Sequence, residues 1–286
     1  MFTTQNFVPG QSIDLKDTLI LANPKVSAFS TFCMSKEVSA KSPTVQWIEE
    51  TINENAAKTL AEGADAPAHV NDDPQLMENY LELFGSLAQV SNTAQASEAV
   101  GIKDLLVKDM QNKTEALKRR IEQKMLYGVK NFAGGVYEMA GIFELVNVAN
   151  RVSDSTLTPE KFEETISKLY DAGVSYNLVA FMNAHTKQII NGFTNVTYLG
   201  RDKLQGMDTS VYSTAFGDVT FIDVPAMKTG DIVILNPDFI ETPVLIPFHA
   251  VPQGANGSKV SVYIETQLGL KLLNSKAAAT FTIATA

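Results

Sequence analysis

The sequence predicts an α+β protein in which a long acidic excursion comes first, a long charged helix follows it, and a sheet is completed only near the end of the chain. Three observations predict this. Residues 43 to 82 hold nine acids and one base. Residues 103 to 127 carry a helical apolar stripe ending at Gly128. Residues 260 to 272 alternate apolar and polar side chains with the two-residue period of a half-buried strand.

Length and composition set the frame. The chain has 286 residues, 45% of them apolar, enough to bury a core in one large domain or two intimate ones. Apolar runs such as Ile232-Val233-Ile234-Leu235 fall well short of the roughly 18 residues that a membrane span requires. The opening Met1-Phe2-Thr3-Thr4-Gln5-Asn6 lacks the basic and apolar regions of a signal peptide, so a protein made and used in a cytoplasm is expected. Cys33 is the single cysteine, which excludes an intrachain disulfide and reads as a small buried hydrophobe. A net charge of −9 argues against a duplex-coating protein, although a surface that only encloses nucleic acid needs no basic face.

The acidic excursion contains Glu49, Glu50, Glu54, Glu62, Asp65, Asp72, Asp73, Glu78 and Glu82, with Lys58 as its one base. Its middle, including Ala61 to Ala68 and Asn71-Asp72-Asp73-Pro74, is small, polar and turn-prone and adds little to a core. Its flanks, Thr44 to Ile48 and Tyr80 to Phe84, mix β-formers with polar residues as two arms of a long hairpin would. Loops of this length are uncommon inside compact domains and are usually functional or disordered. The excursion is therefore expected to gain its order by reaching a neighbouring subunit.

The helix that follows runs from Lys103 to Tyr127, with Ile102, Leu105, Leu106, Met110, Leu117, Ile121 and Met125 on one stripe. Asp109/Lys113, Glu115/Arg119 and Lys118/Glu122 read as favourable pairs four apart. Between 103 and 124 it holds seven bases and four acids. Arg120 and Lys124, one turn apart, would repel unless acids approach from elsewhere. The complementary charge points to an arm lying across the adjacent subunit's helix. The expected contacts are Glu49, Glu50, Glu54, Glu62, Asp65, Asp72 and Asp73 on the arm, and Lys113, Lys118, Arg119, Arg120 and Lys124 on the helix.

Beyond the helix, Thr158 and Pro159 open a second helix with Phe162, Ile166, Leu169 and Tyr170 on one face, and Gly173 ends it. Leu178 to Met182 reads as a buried strand, and Asn183 caps a short helix through Ile190. Val219 to Val224, Ile232 to Leu235 and Val244 to Phe248 are further strands. In the last strand Val260, Val262, Ile264, Thr266, Leu268, Leu270 and Leu272 share a face, with Ser261, Tyr263, Glu265, Gln267 and Lys271 opposite, and Asn256-Gly257 marks the turn before it. Its reach of about 43 Å lets it back the long helix.

Catalytic signatures are lacking. There is no Gly-x-Ser-x-Gly elbow and no Ser-x-x-Lys. Gly254 to Lys259 resembles a phosphate loop only superficially, because a strand and not a helix follows it. His69, His185 and His249 lie in separate elements, so neither metal nor cofactor is expected. Adjacent acids such as Glu49-Glu50 point to opposite sides of an extended chain, which suits an interface better than acid–base work. An enzyme is not expected; a soluble α+β enzyme with a mobile acidic lid is the rival from another class.

In order, a short N-terminal stretch, an acidic hairpin, a long charged helix, a compact α/β unit and a late alternating strand resemble the Hong Kong 97-like capsid fold of tailed-bacteriophage major capsid proteins. Ser91-Asn92-Thr93, Gly101, Lys118-Arg119-Arg120-Ile121-Glu122, Tyr263 to Leu268 and Asn274-Ser275-Lys276-Ala277 are similar to wording in one group of these proteins. The resemblance implies an N-terminal arm at 1–40 and an E-loop hairpin at 41–92. It also implies a peripheral domain at 93–152 and 249–286, with its spine helix, and an axial domain at 153–248. It implies hexamers and pentamers closing an icosahedral shell around double-stranded DNA, without sequence-specific binding or a membrane. A separate scaffolding protein or none, a portal and a decoration protein are the implied partners, and assembly in the host bacterial cytoplasm followed by residence in the virion is the implied location. Some relatives crosslink an arm lysine to an asparagine, but only Lys58 is available and no partner asparagine or catalytic acid can be matched, so crosslinking is not expected. An encapsulin-type nanocompartment shares the fold and is the nearest rival.

Overall fold

A computed structural model of the protein describes residues 27–97, 104–193, 198–204, 207–254 and 257–284. Most of the expected N-terminal arm, together with Gly101, Ile102, Lys103 and Asn256, lies outside the described residues. The chain opens with α1 (Ala28–Met34), β1 (Glu37–Ser39), β2 (Thr44–Thr51), β3 (Asp73–Tyr80), β4 (Glu82–Ser91), α2 (Asn92–Ala96) and the long α3 (Leu105–Tyr127). It continues with β5 (Asn131–Ala133), β6 (Val136–Glu138), α4 (Ile142–Leu145), β7 (Arg151–Asp154), α5 (Pro159–Asp171), β8 (Leu178–Met182) and α6 (Ala184–Asn191). It closes with β9 (Tyr198–Leu204), β10 (Met207–Thr214), β11 (Gly217–Asp223), β12 (Ile232–Leu235), β13 (Ile240–Pro252), β14 (Lys259–Leu268), β15 (Lys271–Leu272) and β16 (Ala278–Ile283).

Two sheets carry the architecture. In the first the order is β1-β13-β14-β4, with β15 pairing β13; in the second it is β7-β16-β12-β8-β11-β10-β9. The pairs β2-β3 and β5-β6 stand apart as two-stranded hairpins. β8 is buried at every position because both faces of its sheet are covered. Val179 and Phe181 face one core with α1 and α3, while Leu178, Ala180 and Met182 face the other with α5. The Phe181 ring meets Phe29 and Phe32 edge-on, each with centroids 5.0 Å apart, so α1 is wedged between this sheet and α3.

Local chemistry explains the helix ends. Asp104 accepts from the backbone N–H groups of Leu106 and Val107 and caps α3. Thr158 accepts from the N–H of Lys161, with Pro159 in the first turn of α5. Gly128 ends α3 for a reason other than left-handed geometry: its φ is −59°, and a Cβ there would sit 2.5 Å from the carbonyl oxygens of Lys124 and Met139. Close backbone approach demands the glycine.

Four expected boundaries move. The second hairpin arm is Asp73–Tyr80, and β4 is a separate strand paired with β14 from Ser91↔Lys259 to Glu82↔Leu268. The hairpin therefore ends at Tyr80 and not near residue 92, because Phe84 and Ala88 turn inward as part of the first sheet. The alternating strand stops at Leu268 and resumes only at Lys271, since Gly269 packs against Tyr80 and Leu81 with no room for a side chain. The chain enters the first sheet at Ile240, earlier than residue 249, and leaves it before Ala278, where β16 joins β12 and β7 in the second sheet. The long helix lies mainly against β4, whose inward residues share its core with Ile264 and Leu268 of β14.

Candidate functional site

The β2-β3 hairpin has two unlike faces. Direct pairing places Trp47 opposite Met77, Glu49 opposite Gln75 and Val45 opposite Asn79 on one face, and Ile48 opposite Leu76, Gln46 opposite Glu78 and Glu50 opposite Pro74 on the other. The first face lies on the chain's own body. Trp47 is buried in the core shared with α3, and the Lys271 ammonium lies 5.8 Å from its ring. Asn79, 1% exposed, donates to the carbonyls of Ala140 and Leu270 and accepts from the Ala140 N–H at 2.8 Å. Ser275 donates its N–H and its hydroxyl to the two oxygens of Glu49.

Beyond Glu78 and Tyr80 at its root, the second face is open. Ile48 is 71% exposed, Leu76 65%, and Ile52 at the strand end 77%. Residues 55 to 69 are exposed throughout. Asp72 accepts from the Asn53 N–H at 2.9 Å and closes the base of this outer loop. Ile48 and Leu76 lie opposite each other and form one exposed apolar patch.

The hairpin root is braced. Tyr80, Phe132 and Tyr137 form an aromatic cluster against the β5-β6 hairpin, and Lys130 lies 4.8 Å over the Tyr80 ring. The Lys130 ammonium also donates to Glu78 at 2.8 Å, which with the Gln46 amide holds the Glu78 carboxyl below its ordinary pKa.

Helix α3 is buried unevenly along its length. Its buried residues are Leu117, Ile121, Glu122, Met125 and Leu126, all in the second half. In the first half Leu105, Leu106 and Met110 are half-buried and Val107 is 48% exposed. A groove of about 520 Å³ opens beside the helix between Met34, Ile121, Phe248 and Leu268.

The acids and bases singled out by sequence divide into two groups. Lys124 is not free for a neighbour: its ammonium lies 2.8 Å from Glu138 and 3.5 Å from Glu82, with 12% of the side chain exposed. These two acids, brought in by β4 and β6, answer the repulsion between Arg120 and Lys124. The Glu138 carboxyl is held low first by its bond from Lys124, with Arg120 adding a smaller effect. Glu49 and Asp72 are likewise engaged within the chain. Glu50, Glu62, Asp65 and Asp73 are exposed on the hairpin, and Glu54 begins a single turn of 3-10 helix. On the helix Arg120 is exposed, Lys113 and Arg119 are half-buried, and the exposed Lys118 lies 3.3 Å from Glu115.

Two expected helix pairs are replaced by longer-range bonds. Asp109 accepts from the Gln89 N–H, tying the helix to β4. Glu122, 1% exposed, accepts from the N–H groups of Phe29 at 3.0 Å and Ser30 at 2.6 Å and thereby caps α1. Burial pushes its carboxyl up from the ordinary value, against the lowering effect of these bonds. The sequence reading also missed the β5-β6 hairpin, which turns at Gly134 and Gly135, both at positive φ. A Gly-Gly pair between Phe132 and Val136 was the available signal.

Among the described residues no helix is long and apolar enough to cross a membrane, and no group of three or more His, Cys, Asp or Glu side chains is placed to hold a metal. Comparison with known proteins gives a consistent picture. The family model described as SU10 major capsid protein matches residues 2–285. Curated proteins give no match by sequence. Among solved structures the chain is similar to the capsid of Cyanophage A-1(L), with a TM-score of 0.73 at 9% identity over 100% of both chains. It is similar to the capsid of Cyanophage P-SCSP1u, with a TM-score of 0.63 at 10% identity over 98% of this chain and 100% of that one. It is also similar to the SrpI encapsulin of Synechococcus elongatus PCC 7942, with a TM-score of 0.65 at 12% identity over 96% of this chain and 92% of that one. The fold is the Hong Kong 97-like capsid fold.

Proposed function

The chain belongs to the SU10 major capsid protein family, and from that premise we propose how its copies hold one another in the shell. As a major capsid protein it is a structural component of a phage capsid, it self-associates, and it resides in the virion. The finer reading is that the outward hairpin face of one copy, built on Ile48, Leu76 and Ile52, docks on the first half of α3 of the next. The observation that carries it is the matching deficit: the hairpin exposes Ile48, Leu76 and Ile52, and among the described residues α3 fully buries no side chain in its first half.

Energy and register come from different side chains. Burying Ile48 and Leu76 would contribute about 2 kcal/mol each at most, whereas exposed ion pairs contribute roughly 0–1 kcal/mol. Glu50, Glu62, Asp65 and Asp73 facing Lys113, Lys118 and Arg120 of a neighbour therefore set approach rate and register more than affinity. Copies joined in this way form hexamers and pentamers that close an icosahedral head around double-stranded DNA. The hairpin is the E-loop of this fold, α3 its spine helix, and the second sheet the body of its axial domain. A separate scaffolding protein, a portal and a decoration protein complete the assembly, which takes place in the host cytoplasm.

Negative-stain microscopy of the expressed chain tests this reading. Rings of six, tubes or closed shells are expected from the wild type, and the double variant I48D/L76D should give dispersed subunits. Shells formed by that variant at the wild-type rate would overturn the docking surface. Shells filled with protein cargo would instead favour a nanocompartment.

A further inference from the structure

Glu49 was counted with the acids that meet a neighbour, yet both its oxygens are taken by its own chain. Ser275, 226 residues away, donates its hydroxyl to Oε1 at 3.0 Å and its backbone N–H to Oε2 at 3.3 Å. Ser275 is 5% exposed and belongs to the segment that carries the chain from β15 in the first sheet to β16 in the second. That segment is itself fixed: the Ser275 carbonyl accepts from the Asn147 N–H at 3.0 Å.

The hairpin is thus held at its root and, beyond the buried Trp47, again at Glu49. At its root Asn79 bonds to Ala140 and Leu270; Glu49 lies across from Gln75, four residues farther out along β3, or roughly 13 Å at the rise of a strand. One anchor fixes a point, and two anchors fix a direction. A two-stranded hairpin is at best marginally stable by itself and has little stiffness with which to hold an angle. Glu49 and Glu50 also divide the labour of adjacent acids on a strand, since the inward carboxylate holds the body while the outward one stays exposed beside Ile48.

We infer that Glu49 is a positioning residue for assembly: by gripping Ser275 it sets the angle at which the Ile48-Leu76 face is presented before a second copy arrives. The inference rests on the docking reading above and adds to it a preorganising contact within the free subunit. With the grip intact, the incoming copy meets an ordered face and does not have to order it, which lowers the cost of association. With it broken, the part of the hairpin beyond Trp47 and Met77 loses its anchor and most encounters are misaligned.

The test uses E49Q and S275A in the full chain, with hydrogen exchange measured on unassembled subunits and assembly followed by light scattering. Amides of residues 44–51 and 73–80 should exchange about fivefold faster in each variant, consistent with loss of a modest local bond, while those of 82–91 and 259–268 keep their wild-type rates. Assembly should slow by at least a similar factor, and the double variant E49Q/S275A should be no slower than E49Q alone. Unchanged exchange in both variants would overturn the inference. So would faster exchange with wild-type assembly rates, because Glu49 would then be structural only. The I48D/L76D variant separates this from the parent reading: it retains the grip and should keep slow exchange at 44–51 while failing to assemble. Normal assembly of I48D/L76D would defeat the docking surface, whatever the exchange data show for Glu49.

Discussion

Replacing Glu122 tests whether α1 is held by one buried carboxylate. In E122A the N–H groups of Phe29 and Ser30 lose their acceptor at a site where Glu122 is 1% exposed and Phe29 fully buried. Each orphaned buried donor costs about 1–3 kcal/mol, and removing a buried charge that burial already disfavours returns part of that. A net loss of about 3 kcal/mol is expected for E122A, and about 1 kcal/mol for E122Q, which keeps one oxygen acceptor. The pH dependence has a definite sign. Because burial raises the Glu122 pKa in the folded state, the native protein binds more protons than the unfolded chain between the ordinary carboxylate value and the raised one. This contribution to stability is full below that window and is lost as pH rises through it; E122Q removes it. Denaturant unfolding of dilute, unassembled subunits, followed by the fluorescence of Trp47 and by circular dichroism, measures both effects as pH is raised from about 4, near the ordinary carboxylate value. A loss below about 1 kcal/mol in E122A, or a wild-type minus E122Q difference that grows with pH, would refute the assignment.

Three further outcomes follow from the same contacts. G128A forces a methyl group against the carbonyls of Lys124 and Met139 and should cost about 2–4 kcal/mol in denaturant unfolding, whereas G254A, with open space around it, should be neutral within about 0.5 kcal/mol. Reversing Lys113 and Arg120 to Glu should slow assembly at low ionic strength and lose that effect near 0.5 M salt, where the screening length is only about 4 Å; light scattering at two salt concentrations checks it. N79A removes three buried bonds at the hairpin root and should loosen residues 44–51 and 73–80 at least tenfold in hydrogen exchange, a larger effect than either Glu49 variant produces.

Where local signals were strong the sequence was legible. Thr158-Pro159 fixed the start of α5, the apolar run Leu178 to Met182 marked a strand buried on both faces, and the alternation of Val262, Ile264, Thr266 and Leu268 marked β14. Long-range partners were less legible. Spacing along a helix paired Glu122 with Lys118, but whether an acid faces water or a buried helix end depends on residues 92 or 93 positions away. Lys124 looked free because Glu82 and Glu138 reach it only after β4 and β6 have folded against the helix. β13 was read too short, since Pro243 and Pro247 interrupt the pattern of a continuous strand, and its register with β14 does shift between Val244 and His249. β16 went unread because Ala278 and Ala279 lack the bulk and branching that announce a strand.

The excursion of 43–82 was read as one arm ordered from outside, and the structure divides it. Trp47, Glu49, Met77 and Asn79 order the strands from within, while the outward face at Ile48 and Leu76 and residues 55 to 69 stay exposed. A single sequence shows that Ile48 and Leu76 are apolar, but only the pairing of β2 with β3 shows that they lie side by side and uncovered.

The most direct measurement is a crosslink across the proposed contact. Shells assembled from an equal mixture of isotopically light and heavy subunits, with a photoreactive residue in place of Ile48, are irradiated and digested. The account predicts crosslinks from position 48 to peptides of residues 105–116, half of them joining a light chain to a heavy one. Crosslinks confined to chains of one isotope, or falling elsewhere than the first half of α3, would contradict it.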